Sequence, residues 1–249
     1  MHTTRLKNIT DALTQSQIIK GIKAQRGTKF IELDPTLLIW IFIIASVIGL
    51  VLEDIFHAIV FGGWESRAGL VWGPFSPLYG LAGVLLTVFL NRFYYTHNLI
   101  IFILSMIVGS CLEYAASWGM ETVWHAIAWD YTGTFGSING RTNFVFGVIW
   151  GVLGLFWVRG VMPLIKKGSK KIDTQNKVYR IATIVVALFM AANIATTILA
   201  LHREGQRAQN IPPATVVDTV LDDCFPDEWL QQRFKNMTVS ADIGTQNSN

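Results

Sequence analysis

Five stretches of this chain contain no Asp, Glu, Lys or Arg at all: 35–52, 68–90, 98–112, 142–158 and 181–201. A helix of about 20 apolar residues crosses the hydrocarbon of a bilayer. Inside that hydrocarbon every backbone polar group must find a partner within the protein, which restricts such stretches to helices or closed barrels. The sequence therefore predicts an all-α membrane protein with five transmembrane helices, at roughly 36–60, 72–91, 98–119, 143–165 and 179–201. Only 15% of the 249 residues are charged, against about 25% in soluble domains, and those charges lie between and beyond the windows.

Their distribution sets an orientation, because loops rich in Lys and Arg stay on the cytoplasmic side. The segment 1–35 carries Arg5, Lys7, Lys20, Lys23, Arg26 and Lys29, and the loop after the fourth window carries Arg159, Lys166, Lys167, Lys170, Lys171 and Lys177. The opposite connections hold only Arg67 and Arg141 as basic residues. The expectation is a multi-pass protein of the cell membrane, its N-terminus cytoplasmic and its C-terminus outside. The start lacks the apolar core of a cleavable signal peptide. Residues 16–27 read either as a basic amphipathic stretch on the inner leaflet or as a solvated tail. The polar tail, 202–249, is expected to form a short outer helix before a disordered end. Nothing points to nucleic acid, since the basic charge follows orientation. Cys111 falls within a window and Cys224 in the tail, so a bridge between them is not expected.

An internal repeat is legible. "VIGLVLE" ends at Glu53 and "IVGSCLE" at Glu113; "RAGLVWG" begins at Arg67 and "RTNFVFG" at Arg141; "YGLAG" from Tyr79 parallels "WGVLG" from Trp150. The unit is a helical hairpin, over about 36–91 and again over about 98–165, with the fifth helix outside the duplication. Both copies start on the same side, as parallel repeats do. Gly80, Gly83, Gly151 and Gly154 read as packing positions, where small residues let helices approach closely in lipid.

The second copy has the longer outer connection. It includes "WDYTGTFGSINGR", with Asp130, Tyr131, Asn139 and Arg141 in a glycine-rich turn, after Tyr114, Trp118, Glu121, His125 and Trp129 on one side of a continuing helix. This polar segment is expected to cap the outer mouth of the bundle over the glutamates. Trp64, Trp118, Trp124, Trp129 and Tyr131 are candidates for an outer aromatic belt.

Charged side chains within the membrane cost about 3 kcal/mol on insertion scales, so they pair or line a cavity. Glu53 and Glu113 are accordingly the leading functional candidates. The competing reading is a pair of salt bridges, to Arg67 and Arg141, that only fix the hairpins. Asp54 is expected to point elsewhere. The pairs Glu53 with His57 and Glu121 with His125 suit a proton relay or half a metal site, but lack the H-E-x-x-H pattern of zinc proteases; no metal and no cofactor is expected. "GPFSPLYG" places prolines at a helix start, where free N–H groups could face an anion or simply begin a helix. No phosphate-binding G-x-x-x-x-G-K-[ST] loop occurs, so the chain does not hydrolyse ATP by itself.

Taken together, "GLVWGPFSPLYGLAG", "CLEYAASWGMETVWHAIAWDY" and "SINGR" resemble the family of bacterial membrane proteins labelled "putative ABC-transporter type IV", the CmpB-like permeases. The family's pattern falls on Glu53, on 73–80, on 112–114 with Glu121, on 129–131 and on 139–141. The resemblance implies a permease subunit, in contact with membrane lipids and paired with a separate ATPase that would meet the basic loop 159–177. Homo-oligomerisation stays open. Three functions follow from the residues. The favoured one is a transport subunit whose polar, outward-facing cavity is lined by Glu53, Arg67, Tyr79, Glu113, Glu121, His125, Trp129, Asp130, Tyr131, Asn139 and Arg141. The second is an outer-face enzyme using Glu121, His125 and Asp130 as acid and base, with Arg141 on an anionic group. The third is a binding or regulatory protein whose polar cap is structural.

Overall fold

The computed structural model describes residues 29–64, 67–124, 126–127, 129–235 and 238–239. His125 and the amphipathic candidate at 16–27 lie outside these residues, as does the end expected to be disordered.

Helix α1 spans Pro35–Phe61. It begins where the Asp34 carboxylate accepts the Leu37 N–H, with Pro35 at the first helical position, and stops at Gly62, whose left-handed backbone (φ 75°) takes the cap. Helix α2 is Pro77–Leu90, continued by a 3₁₀ turn at Asn91–Phe93. Helix α3 covers Asn98–Trp124. Helix α4, Phe144–Phe156, begins at the Asn143 cap and runs through a π-helical stretch, Trp157–Val161, into α5, Met162–Ser169. The longest helix, α6, is Lys177–Ala208. Two short helices follow, α7 at Val216–Cys224 and α8 at Asp227–Arg233. A two-residue strand, β1 (Ala126–Ile127), pairs antiparallel with β2 (Thr238–Val239).

Four of these helical stretches are long and apolar enough to cross a membrane: Pro35–Phe61, Asn98–Thr122, Phe144–Ser169 and Lys177–Ala208. The fifth apolar helix, Pro77–Phe93, is shorter. The membrane-protein architecture expected from the charge-free windows is present, while one window is only partly helical. Ser76 precedes Pro77, and a residue before proline is driven out of the helical region; its φ of −120° and ψ of 107° are extended. At about 1.5 Å per residue, the 14 residues of α2 reach about 21 Å, short of a hydrocarbon core of about 30 Å.

The missing length is a non-helical segment tucked into the protein. Ala68, Leu70 and Val71 are buried there. Its backbone is satisfied by other elements: Val71 N–H donates to Thr197 Oγ1, Trp72 N–H to Asn193 Oδ1, and Asn193 Nδ2 returns a bond to the Trp72 carbonyl. The Ser76 N–H donates to the Ser46 carbonyl of α1. From α8, the Arg233 guanidinium reaches the carbonyls of Leu70 and Gly73. Irregular backbone survives at membrane depth only when protein groups replace water in this way.

The interior between helices rests on glycine contacts that recur in the two hairpins. A Cβ on Gly49 would stand 2.2 Å from Tyr79 Cβ, and one on Gly109 would stand 2.3 Å from Trp150 Cγ. Phe42 lies against Gly80 as Phe102 lies against Gly151, and Ala45 meets Gly83 as Ser105 meets Gly154. Across the hairpins, the Tyr79 and Trp150 rings face each other at 6.2 Å, and the Trp157 indole donates to Thr87 Oγ1. The outside is apolar: Ile181, Ile184, Val185 and Leu188 form one exposed face of α6, suited to lipid.

Candidate functional site

The C-terminal half of α1 holds the first charged group. Glu53 accepts from Arg67 Nε at 2.7 Å, with both side chains 22% exposed. The Tyr79 hydroxyl faces the same carboxylate. Asp54, expected to point elsewhere, accepts the Arg67 backbone N–H at 3.2 Å, so both acids of the "LED" triplet fix the turn that carries Arg67. His57 Nδ1 lies within hydrogen-bond distance of the Gly63 carbonyl, at 3.2 Å.

The matching carboxylate of the second hairpin has different company. Glu113 is only 5% exposed and accepts from Thr142 Oγ1 at 2.8 Å and from the Tyr131 hydroxyl at 3.0 Å. The Trp150 indole faces it as well. Burial, and after it the negative charge of Glu113, pushes the Tyr131 phenol well above its ordinary value, so this hydroxyl stays protonated and donates. Arg141, the cation that symmetry would assign to Glu113, binds Glu121 instead. The bridge from Glu113 to Arg141 that the repeat suggests is thus not formed. The reason is local: Thr142, the next residue, and Tyr131, from the longer connection, already fill the Glu113 oxygens. Glu121, two turns further along α3, takes the guanidinium. Among the described residues Arg141 Nε is buried without an acceptor, and the guanidinium lies 5.6 Å from the centre of the Tyr114 ring.

The loop that makes this arrangement is compact. Tyr131 N–H donates to the Gly140 carbonyl, Ile138 N–H to that of Thr142, and Trp129 Nε1 to that of Arg141. Gly140 adopts φ 70°, and any Cβ there would fall 2.5 Å from Asp130 Oδ1, so a side chain is excluded both by backbone and by space. Asn139, at φ 52°, donates from Nδ2 to the Tyr114 hydroxyl. Asp130 accepts twice from Thr132, which holds its carboxyl below the usual range, and it remains exposed.

The structure therefore brings Tyr79 and Tyr131 each within electrostatic reach of both Glu53 and Glu113. Arg67, Glu121, Asn139 and Arg141 surround that group in bonds of their own. Glu121 and Asp130, offered above as an acid and base, are each committed to other partners. Trp129 and Tyr131 turn inward rather than forming a belt, while Trp64 and Trp118 are exposed. Cys111 and Cys224 are both free. Thr142 and Trp150 were not singled out as partners of Glu113; their signal was their position in the second "RTNFVFG" and "WGVLG" copies.

No curated protein and no solved structure matches the chain. A family model does, over residues 40–198, which takes in the four helices of the two hairpins, the charged cluster and most of α6. The chain belongs to the family described as "Putative ABC-transporter type IV".

Proposed function

We propose that the chain is the permease subunit of a transporter, that 36–91 and 98–165 are parallel duplicated hairpins, and that α2 with its tucked segment completes a fifth crossing. The basic ends face the cytoplasm and the tail lies outside. A separate ATPase supplies the energy from the cytoplasmic side. The group that contacts the transported solute is the cluster around Glu113, reached from the outer face past Tyr131 and Arg141.

One observation carries this reading. The two carboxylates occupy matched places, yet Glu53 is neutralised by a guanidinium and Glu113 is not. A salt bridge that merely fixed each hairpin would be kept in both. A buried carboxylate held by neutral donors, with no cation beside it among the described residues, is costly to keep, and such groups mark solute and ion pathways.

The experiment is purification from native membranes in mild detergent, with retained subunits and small molecules identified by mass spectrometry. Wild type is expected to bring down an ATPase subunit and a bound solute. Glu113→Gln is expected to lose the solute while the ATPase and the melting temperature remain. Retention of the same solute by folded Glu113→Gln would contradict the assignment.

A further inference from the structure

The cluster above does not account for the opposite end of α4 and α5. There a depression of about 400 Å³ is lined by Pro163, Lys166, Lys167, Lys170 and Lys171. We propose that this depression binds the phosphate headgroup of an anionic phospholipid from the leaflet it faces.

Four ammonium groups share this place, and among the described residues no acidic side chain lines it. Among the described residues, none of the four lysines forms an ion pair. The nearest acid in sequence, Asp173, accepts the Gln175 N–H. Four unneutralised charges in one concavity require counter-ions, and a phosphodiester is an anion of suitable size.

One of the lysines is braced from beside the depression. Lys166 places its ammonium 4.0 Å from the centre of the Phe30 ring, and Phe30 stacks on Tyr94 at 3.4 Å. Arg159, in the π-helical stretch, bonds the carbonyls of Tyr94 and Thr96 and the Asn98 side chain. The aromatic support under Lys166 is thereby tied to the starts of α3 and α5. A π-helical insertion often marks a functional position, and here it turns Arg159 toward this turn.

Location selects a lipid over a soluble partner. Lys166 and Lys167 sit in the last turns of a stretch long and apolar enough to cross a membrane, Phe144–Ser169, and Lys170 and Lys171 follow directly after it. Leu164 and Ile172, which flank the lysines in sequence, are 68% and 43% exposed. Exposed apolar side chains beside ammonium groups fit the boundary between acyl chains and headgroups. An acidic surface of an ATPase would match the lysines and leave Leu164 and Ile172 unexplained.

The test uses the full chain, delipidated in detergent and titrated with phosphatidylglycerol or phosphatidylcholine, with bound lipids counted by native mass spectrometry. Wild type should prefer phosphatidylglycerol. Changing all four lysines to Gln should bring the two lipids to parity, at a loss on the order of five-fold per lysine. The Lys→Arg quadruple variant should keep the preference. Single changes at Lys170 and Lys171, which touch no ring, should lower it stepwise even if the quadruple variant folds poorly. Unchanged preference in the Gln variants overturns the proposal. So does full competition by millimolar inorganic phosphate, which would identify a free anion as the ligand. Loss of a co-purified ATPase with lipid preference intact would assign the lysines to the protein partner and overturn it as well.

Discussion

At the scale of single residues, the decisive contrast is between two glutamates that look alike in sequence. Glu53→Gln leaves the Arg67 guanidinium without its carboxylate, and bonds to charged groups are worth about 1.5–3 kcal/mol. The expected result is a clear fall in detergent melting temperature. Tyr131→Phe removes one of two hydroxyl donors from Glu113 and keeps the ring that stacks on Phe146 at 4.5 Å. This variant should melt close to wild type, and solute retention should report the change. The partners of Glu113 could not be read from its own position. The spacing of Glu53 and Arg67 was enough to pair them, because the first connection is short. In the second copy extra loop residues alter which side chain arrives first: Tyr131 comes from the inserted turn, and Thr142 arrives ahead of Arg141. An insertion changes geometry without changing the repeat's letters.

At the scale of elements, two devices position the site. The first is the set of glycine seats. Gly109→Leu or Gly49→Leu would drive a side chain into Trp150 or Tyr79, whose nearest atoms stand within 2.5 Å of a bare Cβ. Each change should separate a helix pair and reduce folded yield, measured by size-exclusion chromatography. The second device is the tucked segment before α2. Asn193→Leu would strip partners from both the N–H and the carbonyl of Trp72. Each buried group left unpaired costs about 1–3 kcal/mol, so thermal stability should drop more than for a lipid-facing change such as Ile184→Ala. The packing role of Gly80, Gly83, Gly151 and Gly154 is legible in the sequence because small residues at helical spacing have few other uses in lipid, whereas Gly49 and Gly109 are legible there only as matched positions of the repeat. The tucked segment was not visible, since "AGLVWGPFS" is as apolar as a helix and hydropathy cannot distinguish the two. Only the two prolines hinted at it. The far end of α6 was also longer than expected. Arg203 and Arg207 continue the helix past the apolar window because acids of the tail neutralise them.

At the scale of the whole molecule, the tail is part of the fold. Arg203 holds both oxygens of Asp222, Arg207 joins Asp222 and Asp227, and Val71, Leu201, Leu221, Phe225 and Leu230 share one apolar cluster. Hydrogen bonds from Arg203 hold the Asp222 carboxyl below the ordinary aspartate value. The sign of the linkage follows. A depressed folded-state value stabilises the docked tail above the unfolded aspartate value of about 3.9, and that stability is lost as pH falls through the folded value. Protease accessibility of the tail should therefore stay low through mild acid and rise only below about pH 4. Asp222→Asn should raise it at every pH. Since α8 also braces the tucked segment through Arg233, a loosened tail should lower the stability of the whole bundle.

These scales meet in the proposal that the two hairpins divide their carboxylates, with Glu53 serving structure and Glu113 serving the solute. The most direct measurement compares Glu53→Gln and Glu113→Gln side by side for melting temperature and for solute retained per folded molecule. The account predicts that Glu53→Gln melts several degrees lower, at about 2–4 °C per kcal/mol, with retention per folded molecule intact, while Glu113→Gln melts near wild type and arrives empty. A Glu113→Gln protein that is destabilised as much as Glu53→Gln, and still carries its solute when folded, would contradict it.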